Sequence, residues 1–332
     1  MGVDFSDLER LRKLTEAGEI IPTELAIETV FGCNAKCVMC FIDQPTARRK
    51  QVMKPELYRY IIDAMEPHKD GLEKFDLWAL GEPLMDPHIL DRVSYAKRKG
   101  YPNMALATNA DMMDERLQKG LLDAGVDTFI ISIDAVKPET HAAIRRGLDY
   151  DRVVRNCESM IRRRDEGGYR SRFLFRFVDQ GTNHAEWPGF RDFWAPRISE
   201  DKKDNVVRYL MHNWGGYVGD KRELLGDRYS EAMERVPCNY VFESLIILAD
   251  GRLSLCPADF LEGQFPFGKV PEQTPLEAFN SEEYKRHRRL HLAERKNDIR
   301  LCETCTILYS NGARDYLWEQ KSHTFRIDSD GK

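Results

Sequence analysis

The spacing of the cysteines constrains what this chain can fold into more than any other feature of its sequence. Eight cysteines stand at positions 33, 37, 40, 157, 238, 256, 302 and 305 of the 332 residues. They form a tight CxxxCxxC triplet, one isolated residue and a split group of four. The first residues, MGVDFSDLERLRKL, lack the apolar core of a secretory signal, so we expect a cytoplasmic protein, in which disulfides are rare. Metal or redox chemistry is therefore expected to use most of these thiols.

Charge and hydropathy narrow the class of partner. No apolar run approaches the roughly 18 residues that a membrane span needs, so we expect no membrane partner. The net charge of −5 comes from 50 basic and 55 acidic residues that are interspersed along the chain. Such a balance offers no electrostatic footprint for a nucleic acid. We therefore expect a small-molecule or peptide partner.

Segments with the pattern of strands alternate with helical segments over the first two thirds of the chain. This alternation predicts an α/β fold with a parallel sheet, and six βα-like units predict a partial (β/α)6 barrel that is open on one side. Active side chains should gather at the C-terminal ends of the strands. The predicted strands are Leu25–Phe31, Phe75–Leu80, Met104–Ala107, Thr128–Ile133, Phe173–Val178 and Val206–Met211, and the predicted helices are 4–18, Pro55–Met65, Pro87–Lys99, Asp114–Ala124 and Tyr150–Arg164.

The pattern changes beyond Pro237. Ala249-Asp250-Gly251 separates two short apolar runs, which predicts a β-hairpin, and a helix is predicted over Leu276–Leu292. We therefore expect a small α+β domain after the barrel. The predicted organisation is an N-terminal helical extension (1–23), the barrel (24–235), the small domain (236–310) and a C-terminal tail (311–332).

Cys33, Cys37 and Cys40 lie on a loop that follows the first predicted strand. Three thiolates this close together can bind three irons of a [4Fe–4S] cluster and leave the fourth iron without a protein ligand. Zinc is the alternative. A structural zinc site is usually filled by four protein ligands, so a lone triplet fits it poorly.

With this triplet and four further positions, the sequence resembles the radical S-adenosylmethionine (SAM) superfamily. Polar motifs follow the second, third and fourth predicted strands, and Arg145 matches a fourth position, whereas Met39 stands where the family often has an aromatic residue. The resemblance implies a radical-generating [4Fe–4S] cluster bound by the triplet, with SAM chelating its open iron. The cofactor contacts that it implies are Phe41, Gly81, Glu82, Thr108, Asn109, Ser132, Asp134 and Arg145.

The residue types suit that cofactor. The ammonium and the ribose hydroxyls of SAM need hydrogen-bond acceptors, and its carboxylate needs a cation. Glu82, Ser132 and Arg145 are of these types. Each also has a purely structural alternative, namely a capped turn for Glu82, a turn or helix cap for Ser132 and Asp134, and a surface cation for Arg145.

Cys238, Cys256, Cys302 and Cys305 supply the four thiolates that a fully protein-bound [4Fe–4S] cluster requires, although zinc would also accept them. This arrangement resembles the twitch domain, a shortened SPASM domain, and implies one auxiliary [4Fe–4S] cluster. Cys157 falls inside a predicted helix, where we expect it to pack as a small apolar side chain.

The resemblance implies that reductive cleavage of SAM yields a 5′-deoxyadenosyl radical, which abstracts a hydrogen atom from the substrate. It extends to the aminocyclitol dehydrogenases of aminoglycoside biosynthesis, so we expect a secondary alcohol of an aminocyclitol or sugar-like compound to become a ketone. The auxiliary cluster would accept the second electron, and a flavodoxin or ferredoxin would donate the first. The catalytic candidates on the last two strands are His212, Arg176, Asp179 and Arg208, with Asn213 beside them.

Three other interpretations stay open. An epimerase would need a thiol such as Cys157 to return a hydrogen atom to the substrate. A peptide-modifying enzyme usually carries a leader-binding domain, and only about two dozen residues precede the first predicted strand. An iron–sulfur or zinc-binding module without activity would cleave no SAM.

Overall fold

The computed structural model describes residues 7–310. In this range the strands are β1 (Glu24–Ile27), β2 (Val30–Phe31), β3 (Lys36–Cys37), β4 (Gln51–Val52), β5 (Lys74–Asp76), β6 (Met104–Thr108), β7 (Thr128–Ser132), β8 (Arg145–Arg146), β9 (Arg172–Asp179), β10 (Asn205–Leu210), β11 (Ser244–Ile247) and β12 (Leu253–Ser254).

Along the chain, the α-helices of the same range begin with α1, which precedes β1, and end with α14, which follows the last cysteine. They are α1 (Leu8–Ala17), α2 (Pro55–Met65), α3 (Ile89–Arg98), α4 (Glu115–Ala124), α5 (Pro138–Ile144), α6 (Tyr150–Glu166), α7 (Trp187–Trp194), α8 (Lys221–Leu225), α9 (Glu231–Arg235), α10 (Tyr240–Glu243), α11 (Pro275–Phe279), α12 (Glu282–Leu292), α13 (Arg300–Glu303) and α14 (Ile307–Ser310). None of them is both long and apolar enough to cross a membrane.

The main sheet has the strand order β10-β9-β7-β6-β5-β1-β11-β12. The six strands from β1 to β10 in this sheet pair in parallel and follow one another in chain order, separated by helices. Within the described residues β10 pairs only with β9, so the sheet formed by this part of the chain does not close. The predicted α/β fold with a partial six-stranded barrel is confirmed.

Local sequence signals explain where the helices begin and end. The Asp114 side chain accepts a hydrogen bond from the Leu117 amide at 2.8 Å, and Gly125, with φ of 86°, ends α4 in the left-handed conformation that glycine adopts without strain. The helix predicted over 276–292 is divided into α11 and α12, because Ser281 caps a new helix start. The first predicted strand is likewise divided into β1 and β2.

The predicted hairpin is present as β11 and β12, and it belongs to the main sheet. Strand β11 pairs in parallel with β1, with Ser244 opposite Glu24. A boundary at residue 235 therefore does not separate two sheets, and the cysteines on either side of it are positioned by one scaffold. Helix α1 packs on α12, where Arg12 donates a hydrogen bond to the Leu292 carbonyl at 3.1 Å. The predicted tail at 311–332 lies outside the described residues.

Candidate cluster and cofactor sites

The cysteine triplet lies on the loop between β2 and β4, at the C-terminal end of the barrel strands. Strand β3 pairs with β8, which places Cys37 opposite Arg145. Burial, together with a smaller effect of the neighbouring cysteines, raises the pKa of the Cys33 thiol to about 12 and that of the Cys40 thiol to about 11. The three thiols thus lie together in a place where a thiolate needs a cationic partner.

An iron–sulfur cluster would supply that partner. The thiolates of one cubane bind different irons, so they lie farther apart than thiolates around a single zinc ion at about 2.3 Å. Within residues 7–310, no three His, Cys, Asp or Glu side chains converge closely enough to share one metal ion. Cys33, Cys37 and Cys40 fit a cubane by number, burial and chemistry.

Gly81 brings the predicted GEP turn against the cysteine loop. A Cβ atom at this position would lie 2.5 Å from the Val30 carbonyl oxygen and 2.8 Å from that of Gly32, so only glycine fits. The next residue, Glu82, donates its backbone N–H to the Gly32 carbonyl at 2.9 Å. The turn therefore touches the backbone that leads into Cys33.

Hydrogen bonds fix the Glu82 carboxylate. One oxygen accepts from the Thr108 hydroxyl at 2.6 Å, and the other accepts from the Asn109 amide at 2.8 Å. Burial raises the pKa of Glu82 to about 7. The structure thus brings together three residues that the sequence placed behind two different strands.

Two polar residues that sequence reasoning missed complete this arrangement. Asn34 accepts a hydrogen bond from the Asn109 side chain at 2.8 Å and donates one to Asp111 at 3.1 Å. Asn34 directly follows Cys33, and Asp111 lies two residues after Asn109, so proximity in sequence was the available signal. This series of side-chain hydrogen bonds links the cysteine loop to the end of β6.

Asp134 and Arg145 form a buried ion pair. The Arg145 Nε lies 2.7 Å from the Asp134 Oδ2, and Arg145 Nη1 approaches the Cys37 sulfur at 3.7 Å. Asp134 also accepts a hydrogen bond from the Val178 amide at 2.8 Å. The two predicted cofactor contacts therefore bind each other beside the triplet, and their contact with SAM stays a prediction.

Phe41 is fully buried beside the last cysteine of the triplet. Its ring lies 4.7 Å from the Trp214 ring and 5.1 Å from the Tyr217 ring, measured between centroids. The Trp214 indole donates a hydrogen bond to the Met39 carbonyl at 2.8 Å. Phe41 thus packs on the loop after β10, and its expected contact with SAM is untested.

Arg176 occupies the barrel interior next to Ser132. Its Nε and Nη2 donate to the Ser132 hydroxyl at 3.0 and 2.6 Å. Burial lowers the pKa of Arg176, and the charge of Arg145 lowers it further. Among the described residues no carboxylate forms an ion pair with this guanidinium, so it faces the interior as a cation available to a ligand.

Asp179 and Arg208, two further catalytic candidates from the sequence, do not face the barrel interior. Side chains alternate along a strand, and both residues are out of phase with Arg176 in the β9–β10 register. Asp179 accepts hydrogen bonds from Arg208 Nε at 3.0 Å and contacts the exposed His184 ring at 2.9 Å. Arg208 also lies over the Trp187 ring of α7, which confirms the outward side of the sheet.

His212 stands directly after the last barrel strand. Its ring meets the Trp214 ring edge-on, with centroids 4.0 Å apart, and its buried Nδ1 has no hydrogen-bond partner among the described residues. Burial and then the nearby charge of Arg176 lower the pKa of His212 to about 4. The ring is therefore neutral near pH 7, and its unpartnered nitrogen is available for a hydrogen bond.

The second group of cysteines lines one cavity of about 30 Å³. Burial raises the pKa of Cys256 well above its usual value, and the charges of Cys302, Cys305 and Cys238 raise it further. Four thiols that line one cavity, one buried and three half-buried, match in number a cubane in which every iron has a protein ligand. His291 and Lys296, which sequence reasoning missed, line the same cavity.

Cys157 lies elsewhere. It is fully buried in α6, where burial raises the pKa of its thiol. It packs with the apolar core, as the sequence predicted.

Comparison with known protein families identifies two domains in the chain. The family model of the radical SAM superfamily matches residues 27–170, and the model of the SPASM iron–sulfur cluster-binding domain matches residues 238–306. The chain thus carries a radical SAM domain followed by an auxiliary iron–sulfur domain, as predicted. Its cofactors are SAM, a radical-generating [4Fe–4S] cluster and an auxiliary cluster.

Curated relatives cover part of the chain. The probable GTP 3′,8-cyclase of Methanothermobacter marburgensis is 29% identical over 167 residues, which are 50% of this chain and 52% of that protein. The tungsten-containing aldehyde ferredoxin oxidoreductase cofactor-modifying protein of Pyrococcus furiosus is 24% identical over 43% of this chain and 40% of its own length. The chain therefore spans about half the length of the curated relatives it matches.

Solved structures share the fold over most of the chain. BtrN in complex with AdoMet and 2-DOIA has a TM-score of 0.58 and 15% identity, covering 86% of this chain and 93% of BtrN. Streptococcus suis SuiB bound to its precursor peptide SuiA has a TM-score of 0.60 and 17% identity, covering 82% of this chain and 68% of SuiB. These likenesses show the fold alone, and the family models place a radical SAM domain at residues 27–170 and an iron–sulfur cluster-binding domain at residues 238–306 of that fold.

Proposed function

We propose that this enzyme oxidises a secondary alcohol of a sugar-like or aminocyclitol compound to a ketone. The observation that carries the proposal is the four-cysteine cavity, which provides a site for a second electron acceptor. When bound, SAM and the triplet cluster supply a 5′-deoxyadenosyl radical that removes the hydrogen from the carbinol carbon. The net reaction converts SAM and the alcohol into methionine, 5′-deoxyadenosine, the ketone and one proton.

One loop connects the two cysteine sites. The Asn213 side chain donates to the Thr304 carbonyl at 2.6 Å and accepts from the Thr306 amide at 3.0 Å, on either side of Cys305. Trp214, the next residue, binds the Met39 carbonyl in the triplet. This covalent and hydrogen-bonded connection supports transfer of the second electron, from the substrate radical, to the auxiliary cluster. A flavodoxin or ferredoxin would earlier supply the first electron, which cleaves SAM.

Arg176 and His212 are the chain's best candidates for contact with the alcohol. The Arg176 guanidinium would hold a substrate oxygen by charge-assisted hydrogen bonds. His212 is neutral, so its free nitrogen would hydrogen-bond the substrate hydroxyl and orient it as the carbon is oxidised. Asp179 and Arg208, which bind each other on the outer face, would act only by holding the end of β9.

The charges in the barrel favour a hydroxyl-rich substrate over a polycationic one. Lys74 is paired with Asp76 at 2.8 Å. Arg172 donates to the Thr128 hydroxyl at 3.0 Å and, like Arg176, forms no ion pair with a carboxylate of the described residues. At the C-terminal end of the strands, the unneutralised guanidinium of Arg176 repels ammonium groups and binds oxygen ligands, whereas Arg172 lies at the opposite end of β9. Within the proposed substrate class, sugar-like compounds therefore fit better than highly aminated cyclitols.

The test is anaerobic reconstitution followed by incubation with polyols deuterated at the carbinol carbon. We expect about eight irons per chain, for two cubanes. We also expect one deuterium in 5′-deoxyadenosine and an equivalent amount of ketone. The Cys238→Ala variant should still cleave SAM but form no ketone. Ketone formation in that variant would contradict the role of the auxiliary cluster. If neither the wild type nor the variant cleaves SAM, the proposed function is refuted.

The curated relatives provide a second candidate, cyclisation of a guanosine nucleotide, because several of them are named GTP 3′,8-cyclases. Incubation with GTP under the same reducing conditions distinguishes the two functions by product mass. The SuiB complex, which contains a precursor peptide, makes a peptide substrate a further alternative, and peptides can be tested under the same conditions. An epimerase is less favoured, because Cys157 is fully buried and cannot reach a substrate in the barrel.

A further inference from the structure

His291 occupies the auxiliary cavity together with the four cysteines. It lies in the last turn of α12 and is fully buried. Helix α12 is held in place by Arg288, which is also fully buried and donates a hydrogen bond to the Val241 carbonyl at 2.8 Å. The ring therefore has a fixed position relative to the cluster ligands.

The hydrogen bonds of His291 determine which ring nitrogen carries the proton. The Cys238 backbone N–H donates to His291 Nδ1 at 3.1 Å, so Nδ1 is an acceptor and carries no hydrogen in the neutral ring. The hydrogen must then be on Nε2. That nitrogen lies 3.8 Å from the Cys302 sulfur, within the distance of an N–H···S hydrogen bond.

We infer that His291 is a positioning residue that raises the reduction potential of the auxiliary cluster through an Nε2–H···Sγ hydrogen bond to Cys302. A hydrogen bond to a ligand sulfur stabilises the reduced cluster, which carries the extra negative charge. The same ring also holds the backbone of Cys238, so it joins two ligands from distant parts of the chain. The inference rests on a cluster bound by the four cysteines and does not depend on the substrate.

Lys296 acts in the same direction. Its ammonium is buried and donates to the carbonyls of Met233 and Val236 at 2.8 and 2.9 Å. Its positive charge acts on Cys238 and Cys302. A cluster beside a buried cation and an N–H donor is easier to reduce, which is the property that an electron acceptor needs.

The experiment is a redox titration of the auxiliary cluster, followed by electron paramagnetic resonance, in the full chain with Cys33, Cys37 and Cys40 replaced by alanine. In His291→Asn, the amide oxygen can still accept from the Cys238 N–H, but the shorter side chain cannot reach Cys302. We expect the equilibrium constant for reduction to fall on the order of tenfold, equivalent to about 59 mV toward negative potential for one electron. In His291→Gln, the longer amide can donate to the sulfur, so most of the shift should be restored.

His287→Asn is the matched control. His287 lies one turn earlier on α12, is also fully buried, and packs on Phe265 and Phe267 outside the cysteine cavity. This change should reduce packing without moving the potential. An unchanged potential in His291→Asn, or an equal shift in His287→Asn, would overturn the inference.

A second measurement needs no substitution at His291. Electron-nuclear double resonance of the reduced auxiliary cluster, in protein with 15N-labelled histidine, should detect one coupled histidine nitrogen. Absence of that coupling in a protein that contains four irons would also overturn the inference. Because neither measurement involves an alcohol, failure of the proposed dehydrogenation would leave both results unaffected.

Discussion

The indole of Trp214 donates a hydrogen bond to the carbonyl of Met39 at 2.8 Å, which joins the loop after the last barrel strand to the cysteine triplet. The same indole stacks on Phe41, which is fully buried. Because Asn213 anchors this loop to the second cysteine site, the position of one cluster loop depends on that of the other.

Trp214→Phe tests this connection. Phenylalanine can keep the stack on Phe41 but removes the donor to Met39, so we expect a loss of about 1 kcal/mol in the free energy of unfolding of the apoprotein. Urea denaturation measures it. Trp187→Phe is the control, because the Trp187 indole donates no hydrogen bond to a described residue while its ring packs on Phe177 and Phe190. Equal losses in the two variants would show that the hydrogen bond adds nothing.

Asp134→Asn tests the buried ion pair. Asparagine tolerates the positive φ of 67° at this position, but it leaves the Arg145 guanidinium without its carboxylate. Removing one partner of a buried pair costs about 3–5 kcal/mol, so the apoprotein should unfold at clearly lower urea concentration. Asp123→Asn, which breaks the exposed pair with Lys119, should cost far less, because solvent screens an exposed pair. A small loss at Asp134 would contradict the described pairing.

Gly81→Ala should disturb the triplet site through the backbone. The new Cβ would meet the Val30 and Gly32 carbonyl oxygens at 2.5 and 2.8 Å, and backbone atoms cannot give way as a flexible side chain can. We expect a loss of about 1–3 kcal/mol in stability and a lower iron content after reconstitution. Gly71→Ala is the control, because nothing lies within 4 Å of its Cβ position. Wild-type iron content in Gly81→Ala would show that the close approach is unimportant.

His141 predicts a pH dependence of stability. It is fully buried, and burial lowers its pKa to about 4. The unfolded chain therefore binds a proton below pH about 6.5 that the folded chain does not bind, and stability falls between pH 6.5 and 4. The contribution is on the order of 3 kcal/mol. In His141→Leu the loss over this range should be smaller by that amount, measured by urea denaturation at each pH, and a curve parallel to that of the wild type would contradict the assignment.

Much of the candidate cofactor site could be predicted to come together from the sequence, because it depends on local order. The triplet lies within eight residues, and Glu82, Thr108 and Ser132 each follow a strand whose apolar pattern is readable. Parallel strands in chain order bring their C-terminal ends together, so these motifs had to meet. The six-unit barrel followed from the same alternation.

The positions of individual catalytic candidates could not be predicted in this way. Strand β9 alternates strictly, so Arg176 and Asp179, three residues apart, face opposite sides, and the sheet's packing decides which side is the interior. Arg176 shares the interior face of the sheet with its partner Ser132, which lies opposite it on β7. Asp179 instead pairs outward with Arg208.

The sequence by itself determined the cofactor chemistry, because cysteine spacing and strand-end motifs are local properties of the chain. Only the tertiary structure decided which distant residues act on that chemistry. His291 stands 53 residues from Cys238 and Asn213 stands 93 from Thr306, yet each pair is joined by a hydrogen bond. Contacts of such separation follow from how whole helices and loops pack on the sheet, and no short sequence pattern records that packing.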